Sequence, residues 1–203
     1  MLERYKTVYR GKEGEIIEKK SRFIATVRLV ETEEEALAFI EEMKKKYWNA
    51  THNCFAYVIG ERRECVRCSD DGEPSGTAGI PILLVLEKQN LSHVLCIVVR
   101  YFGKIKLGAG GLVRAYTKSA TEVLKNHTIF LKKGYLIQIT FPYSSQKTID
   151  YLLKNKKILK KDFQEKVSYQ LAIDETDFQN LSSLDDLEIK IMDNLYLPDL
   201  DNN

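Results

Sequence analysis

The sequence predicts an α+β protein of two domains, on three observations. Period-2 apolar alternation and helical periodicity follow one another in short segments along the whole chain. The pattern restarts after Lys132-Lys133-Gly134. Charge is divided unevenly about the same point: from Gly134 onward there are 8 lysines and 12 acidic residues, a net of −4, while the first 133 residues carry 23 basic and 17 acidic groups, a net of +6. A length of 203 residues suits one large or two small domains, and the expected division is 1–133 and 134–203.

In the first domain, GEIIEK (14–19) and RFIATVRLV (22–30) read as strands, the second with Phe23, Ala25, Val27 and Leu29 alternating against Ile24, Thr26 and Arg28. Thr32 followed by Glu35 is a capping box, after which Ala36, Leu37, Ile40, Met43 and Tyr47 recur at helical spacing. NCFAYVIG (53–60) is a strand ending at a glycine, and ECVRCSDDGEPSGTAG (64–79) reads as a polar loop rich in turn formers. Residues 81–89 fit either helix or strand, and Pro81, at home in a first helical turn, favours helix. VLCIVVRYF (94–102) is a nearly continuous apolar run, the pattern of a strand covered on both faces. A helix is expected from about Gly111 to Asn126, with Leu112, Val113, Tyr116, Ala120, Val123 and Leu124 as its apolar stripe.

In the second domain, YLIQITF is a strand, Ser144 to Asn155 a helix, ILKKDF and KVSYQLAI a pair of strands, Asp174 to Leu184 a short helix and LEIKIMDNLYL a last strand. This β-α-β-β-α-β order is the ferredoxin-like split motif. PDLDNN reads as a polar tail.

The composition, 44% hydrophobic and 30% charged, excludes a wholly disordered chain. The longest stretches without a charged side chain are 13 residues, Pro74 to Leu86 and Gly134 to Gln146, short of the roughly 18 that suggest a membrane span. MLERYK lacks an apolar signal run, so the expected address is the cytoplasm, with no membrane partner. The four cysteines are too sparse for a disulfide scaffold. Cys54 and Cys96 read as small buried hydrophobes. Cys65 and Cys68 have metal-ligand or redox spacing, but zinc needs a second ligand pair, the best being His52 and Cys54, so they are read as incidental loop thiols and no metal or cofactor is expected.

Two stretches carry candidate chemistry. In the first, Gly103, Gly108, Gly110 and Gly111 free the backbone to turn and expose amides before a helix N-terminus. Arg100, Lys104, Lys106 and Arg114 add positive charge, giving an anion site suited to phosphate or carboxylate. Neither a Walker loop nor a dinucleotide fingerprint is present, since Ala109-Gly110 replaces Lys-Ser/Thr and Val113 stands where a third glycine is required. A tight connection with no ligand accounts for the same glycines. The second stretch is the loop Ser69, Asp70, Asp71, Glu73, Ser75 and Thr77, a partner or ligand contact or a purely structural loop. Its carboxylates lack calcium-hand spacing and fit equally a helix cap or pairing with Arg100 and Lys106. Ser75 and Thr77 have no activating base nearby in sequence, and His52, His93 and His127 form no motif, so no catalytic residue is expected.

THNCFAY (51–57), SDDGEPSGTAGIPIL (69–83) and VVRYFGKIKLGAGGLVRAY (98–116) together resemble the IMPACT family, and the two-domain length matches its bacterial YigZ-type members. The resemblance implies a first domain with the βαβ superfold of ribosomal proteins and of domain IV of elongation factor G, and a ferredoxin-like second domain. It also implies a role in translation, since eukaryotic relatives regulate translation under stress by competing for the activator of a translation-factor kinase, a pathway bacteria lack. The chain departs from the family pattern at Lys104, where a second glycine usually follows Tyr-Phe-Gly, and in carrying Cys65 and Cys68. The leading expectation is a non-enzymatic protein that binds RNA, the ribosome or a translation factor. An enzyme acting on a small phosphorylated or carboxylated ligand in a cleft between loops 69–79 and 103–111, and a pure protein-binding module, are the other readings.

Overall fold

The structure, a computed structural model, describes residues 2–199 and is a mixed α/β fold built on antiparallel sheets. The described residues divide into two compact units, one of residues 5–130 and one of residues 2–4 with 131–199.

The first unit contains most of β1 (Arg4–Val8), then β2 (Lys12–Glu18), β3 (Ser21–Leu29), α1 (Glu33–Lys46), β4 (His52–Ile59), β5 (Cys65–Ser69), α2 (Gly79–Lys88), β6 (Val94–Tyr101) and α3 (Ala109–Leu124). Five of these strands form a sheet in the order β2-β3-β6-β4-β5, every pair antiparallel. The two faces of β6 separate by residue parity. Val94, Cys96 and Val98 pack with Ile82, Leu86, Leu112, Tyr116 and Ala120 of α2 and α3, while Leu95, Ile97 and Val99 pack with Ala36, Ile40 and Met43 of α1. Burial on both sides is why this central strand tolerates no alternation of polar residues.

At the start of α1, the Thr32 hydroxyl accepts from the Glu35 N–H at 3.2 Å. The Glu35 carboxylate closes onto the Glu31 N–H at 2.8 Å instead of that of Thr32, so the reciprocal half of the expected box is displaced by one residue.

The second unit contains most of β7 (Thr128–Phe141), then α4 (Gln146–Leu152), β8 (Ile158–Phe163), β9 (Val167–Asp174), α5 (Glu175–Ser182) and β10 (Glu188–Pro198). Its strands lie in the order β10-β7-β9-β8, all antiparallel. Ile137, Ile139 and Phe141 of β7 and Val167, Tyr169 and Leu171 of β9 pack with Ile149 of α4 and Leu181 of α5.

The structure corrects three sequence expectations and adds one strand. Cys65–Ser69 is an edge strand paired with β4, not loop. Arg4–Val8, to which no element was assigned from sequence, is a strand whose Lys6 carbonyl accepts from the Ser92 N–H. The pattern break at 132–134 is not an interruption of the backbone: β7 runs through it, and Gly134 has the Ile173 carbonyl where a Cβ would stand, at 2.6 Å. Of the expected polar tail, Asp199 is buried and paired with Arg4 at 3.3 Å, and residues 200–203 lie outside the described residues.

One backbone crossing fixes the β2–β3 turn against the segment after β6. Gly103, after β6, lies so close to the β2–β3 turn that a Cβ would stand 2.0 Å from the Lys20 carbonyl carbon, and its N–H donates to the Ser21 hydroxyl at 3.1 Å. Backbone atoms cannot yield as a flexible side chain does. Gly103→Ala is expected to destabilise the protein by at least about 1–3 kcal/mol, read as a lower midpoint in urea unfolding followed by circular dichroism.

Candidate functional site

The two stretches singled out by sequence meet different fates. Arg100, expected among surface cations, is buried, because its position on β6 has the same parity as Val98 and Cys96 and so faces α2 and α3. Its Nη1 donates to Glu73 Oε1 at 2.6 Å, Nη2 lies 3.4 Å from the Ser21 hydroxyl, and the guanidinium is held between the rings of Phe23 and Phe102, each 5.4 Å away. Arg100 Nε is buried without a hydrogen-bond partner. Glu73 also accepts from the Tyr116 hydroxyl at 2.8 Å, and His52 Nε2 lies 3.8 Å from its other oxygen. Of the open alternatives, pairing across space with Arg100 is the one the geometry takes for Glu73.

The other carboxylates of that loop also turn inward. Asp70 Oδ1 accepts from the N–H groups of Ala78 and Gly79 at 2.9 and 2.8 Å, and Oδ2 from Gly76 at 2.8 Å. Asp70 therefore caps α2 from nine residues upstream, against the positive end of the helix. Burial pushes the Asp70 carboxyl up, but those three N–H donors outweigh it and hold it below the usual carboxylate range. Asp71 accepts from the Asn53 N–H at 2.6 Å, its own N–H donates to the Ser69 hydroxyl, and its carbonyl oxygen lies 2.8 Å from His52 Nδ1. Thr77 is buried and donates to the Pro74 carbonyl at 2.6 Å, whereas Ser75 is exposed.

Three residues of this cluster were not read as site residues. His52 and Cys54 share a face of β4, and Tyr116 projects from α3, where its place in an apolar stripe concealed its hydroxyl. The Cys54 thiol lies 3.0 Å from the Asp70 carbonyl oxygen and 3.3 Å from the Tyr116 hydroxyl. Burial pushes this thiol up to about 12 and the Tyr116 phenol still higher, so neither is ionised at neutral pH. Cys65 and Cys68 are three residues apart on a strand and so point to opposite faces, which separates the pair read from spacing. Among the described residues, no group of three His, Cys, Asp or Glu side chains is placed to hold a metal ion.

The other stretch is open. Lys104, Lys106, Gly108, Gly110 and Arg114 are exposed, while Gly111 is buried against Leu107. Lys104 has φ of 64°, the left-handed region, so a glycine at that position serves the backbone turn. Gly108, with φ of 72°, precedes α3, whose first turn has no side-chain cap and no acidic residue. Beside it lies a groove of about 200 Å³ lined by Glu18, Lys19, Leu107, Gly111, Arg114, Ala115 and Lys118. Among the described residues, Lys19, Lys104, Lys106, Arg114 and Lys118 make no ion pair, in contrast to Arg22, Arg63, Arg67 and Arg100.

Two stability effects follow. Asp70→Ala should cost about 1–2 kcal/mol near neutral pH. The native carboxyl is depressed, so its contribution is present above the unfolded value near 3.9 and fades as pH falls through the native one. The gap in urea midpoint between the two proteins should therefore narrow in acid. Glu73→Ala should cost about 3–5 kcal/mol by leaving Arg100 charged and unpaired, and Glu73→Leu with Arg100→Met should cost less than the two single changes summed, in a double-mutant cycle.

Comparison with known proteins bears on the same residues. The Impact N-terminal domain model matches residues 19–124, just over half of the chain and the stretch holding both loops. The chain is 46% identical over 178 residues to the IMPACT family member YvyE of Bacillus subtilis, covering 86% of this chain and 82% of that one. It is 37% identical over 161 residues to the IMPACT family member YigZ of Escherichia coli, covering 76% and 78%. A crystal structure described as that of a hypothetical protein aligns over 95% of this chain and 99% of its own at 29% identity, with a TM-score of 0.64. No helix of the described residues is long and apolar enough to cross a membrane. With the family's own domain spanning both loops and relatives matched along most of their length, the chain belongs to the IMPACT family.

Proposed function

We propose that the protein is a non-enzymatic, translation-linked regulator that binds RNA, the ribosome or a translation factor, in the cytoplasm, through the basic surface at the start of α3. The observation that carries this reading is the set of exposed, unpaired cations Lys104, Lys106 and Arg114, joined by Lys19 and Lys118 around the groove. Cationic side chains without internal partners are free to meet phosphates, and clustering raises the local potential. Arg100 leaves that set and holds the scaffold beneath it.

The inward-turned loop supports a binding role over catalysis. Its carboxylates are taken up by backbone amides and by Arg100, the Thr77 hydroxyl by a carbonyl, and the Cys54 thiol is protonated, so none of these four groups is an activated nucleophile. In the same reading the two units are the two domains: the first a ribosomal-protein-like βαβ fold akin to elongation factor G domain IV, the second ferredoxin-like, in keeping with its strand order β10-β7-β9-β8. That kinship is an analogy of fold, and the surface charge is what makes it specific to this chain.

Binding dominated by phosphates is steeply salt-dependent, at about −0.7 log units of affinity per log unit of salt for each single-stranded phosphate contacted. Three to five contacts therefore give a slope of roughly −2 to −3.5 with labelled RNA or purified ribosomes. Lys104→Glu with Lys106→Glu should flatten that slope and weaken binding. A flat titration in the native protein, or no association at low salt, contradicts the reading.

A further inference from the structure

The end of the first unit's sheet that carries the basic loop also collects exposed apolar side chains. Trp48 is 81% exposed, Ile17 68%, Phe102 44% and Ile105 41%. Isolated exposed apolar residues are ordinary; what brings these to one end of the sheet is the bonding of the segments around them. Asn49, next to Trp48, accepts at its Oδ1 from the Tyr101 hydroxyl at 3.0 Å, and the Thr51 hydroxyl accepts from the Phe102 N–H at 3.0 Å. The segment after α1 is thus stitched to the end of β6. On the other side, the close approach of Gly103 to Lys20 sets the β2–β3 turn, with exposed Lys19 and Lys20, against the loop that carries Phe102, Lys104 and Lys106. Ile17 lies opposite Arg22, and Arg22 opposite Tyr101, in one cross-strand row.

Phe102 is held as a platform would be. Its ring lies 5.4 Å from the buried Arg100 guanidinium, which is itself fixed by Glu73, yet 44% of the residue is open to solvent. A rigidly backed aromatic ring with an open side, flanked by unpaired lysines, matches what a polyanion with exposed π faces needs. Glu18 lines the adjoining groove and Glu15 is taken up by Arg22, so the unpaired charge on this surface is carried mostly by lysines; among polyanions, a duplex hides its base faces. Single-stranded nucleic acid presents phosphates and unstacked bases together.

We infer that this end of the sheet is a stacking platform for single-stranded RNA, with Phe102 and Trp48 receiving bases and Lys19, Lys20, Lys104 and Lys106 holding the phosphates. The inference rests on the proposed function and deepens it, since it names the form of RNA and the side chains that distinguish it from any other polyanion.

Trp48 is the only tryptophan in the chain and reports directly. The full-length protein is titrated with a ten-residue oligouridine RNA, the same length of oligothymidine DNA, and an RNA duplex, following Trp48 fluorescence and, for variants, the anisotropy of a labelled strand. The single-stranded RNA should quench Trp48 and bind at least about tenfold tighter than the duplex. Trp48→Ala and Phe102→Leu should each weaken it by about 5- to 100-fold while leaving the salt slope unchanged. Phe102→Leu keeps an apolar side chain over Arg100, and Trp48 is too exposed to support the fold, so circular dichroism should be unaltered in both. If duplex and single strand bind alike and neither variant matters, the platform is overturned while salt-dependent binding leaves the basic surface standing. If no polynucleotide binds at low salt, or only a protein is captured on this surface after nuclease treatment, the RNA ligand is wrong altogether. Tighter binding of the DNA strand than the RNA assigns the platform to DNA and breaks its link to translation.

Discussion

The pairing of Glu73 with Arg100 is the interaction on which the first unit's functional end depends. It places a carboxylate from an irregular loop against a guanidinium at the end of the central strand, with the Tyr116 hydroxyl from α3 on the same oxygen. Strand, loop and helix are thereby fixed to one buried point. Desolvating two opposite charges is costly, and the unpartnered Arg100 Nε shows that the compensation is incomplete. Such a pair specifies one arrangement more than it adds net stability, because every alternative packing leaves a buried charge alone.

From that anchor the loop 69–79 becomes part of the scaffold. Asp70 holds the first amides of α2, Asp71 holds β4 through Asn53, and Glu73 holds β6 and α3. None of these carboxylates is directed at solvent chemistry. The opposite holds at the start of α3, where Lys104, Lys106 and Arg114 have been left without acidic partners and the helix has no acidic residue in its first turn. Two conspicuous loops that look alike in sequence, both glycine-bearing and polar, thus do different work. One consumes its charge inside the fold, and the other presents it.

Much of this architecture was legible in the sequence because it rests on periodicity. The continuous apolar run of β6 reported burial on both faces, and the stripe of α3 reported its packing. The β-α-β-β-α-β order after residue 134 was readable for the same reason. What was not legible depends on partners remote in sequence. Arg100 is the one charged residue in the run 94–102 and reads as a cation of the anion site, and only Glu73, 27 residues away, makes it an interior residue. Tyr116 counts as apolar until its hydroxyl is seen against Glu73. The edge strand Cys65–Ser69 escaped notice because a strand exposed along most of its length shows no alternation, and its cysteines drew attention to metal spacing instead. Lys104 departs from the pattern that the resemblance implies, and its left-handed backbone is one that glycine adopts without strain, so a glycine there needs no ligand to account for it.

The most direct measurement of the central claim is a residue-by-residue map of where a short single strand of RNA touches the protein, by amide chemical-shift perturbation at low salt. Perturbations centred on residues 19–20, 48, 102–106 and 114–118, with Asp70 and Glu73 scarcely moved, are what the account predicts. A footprint centred on 69–79 and the β5 edge, or a spectrum that does not respond, would contradict it.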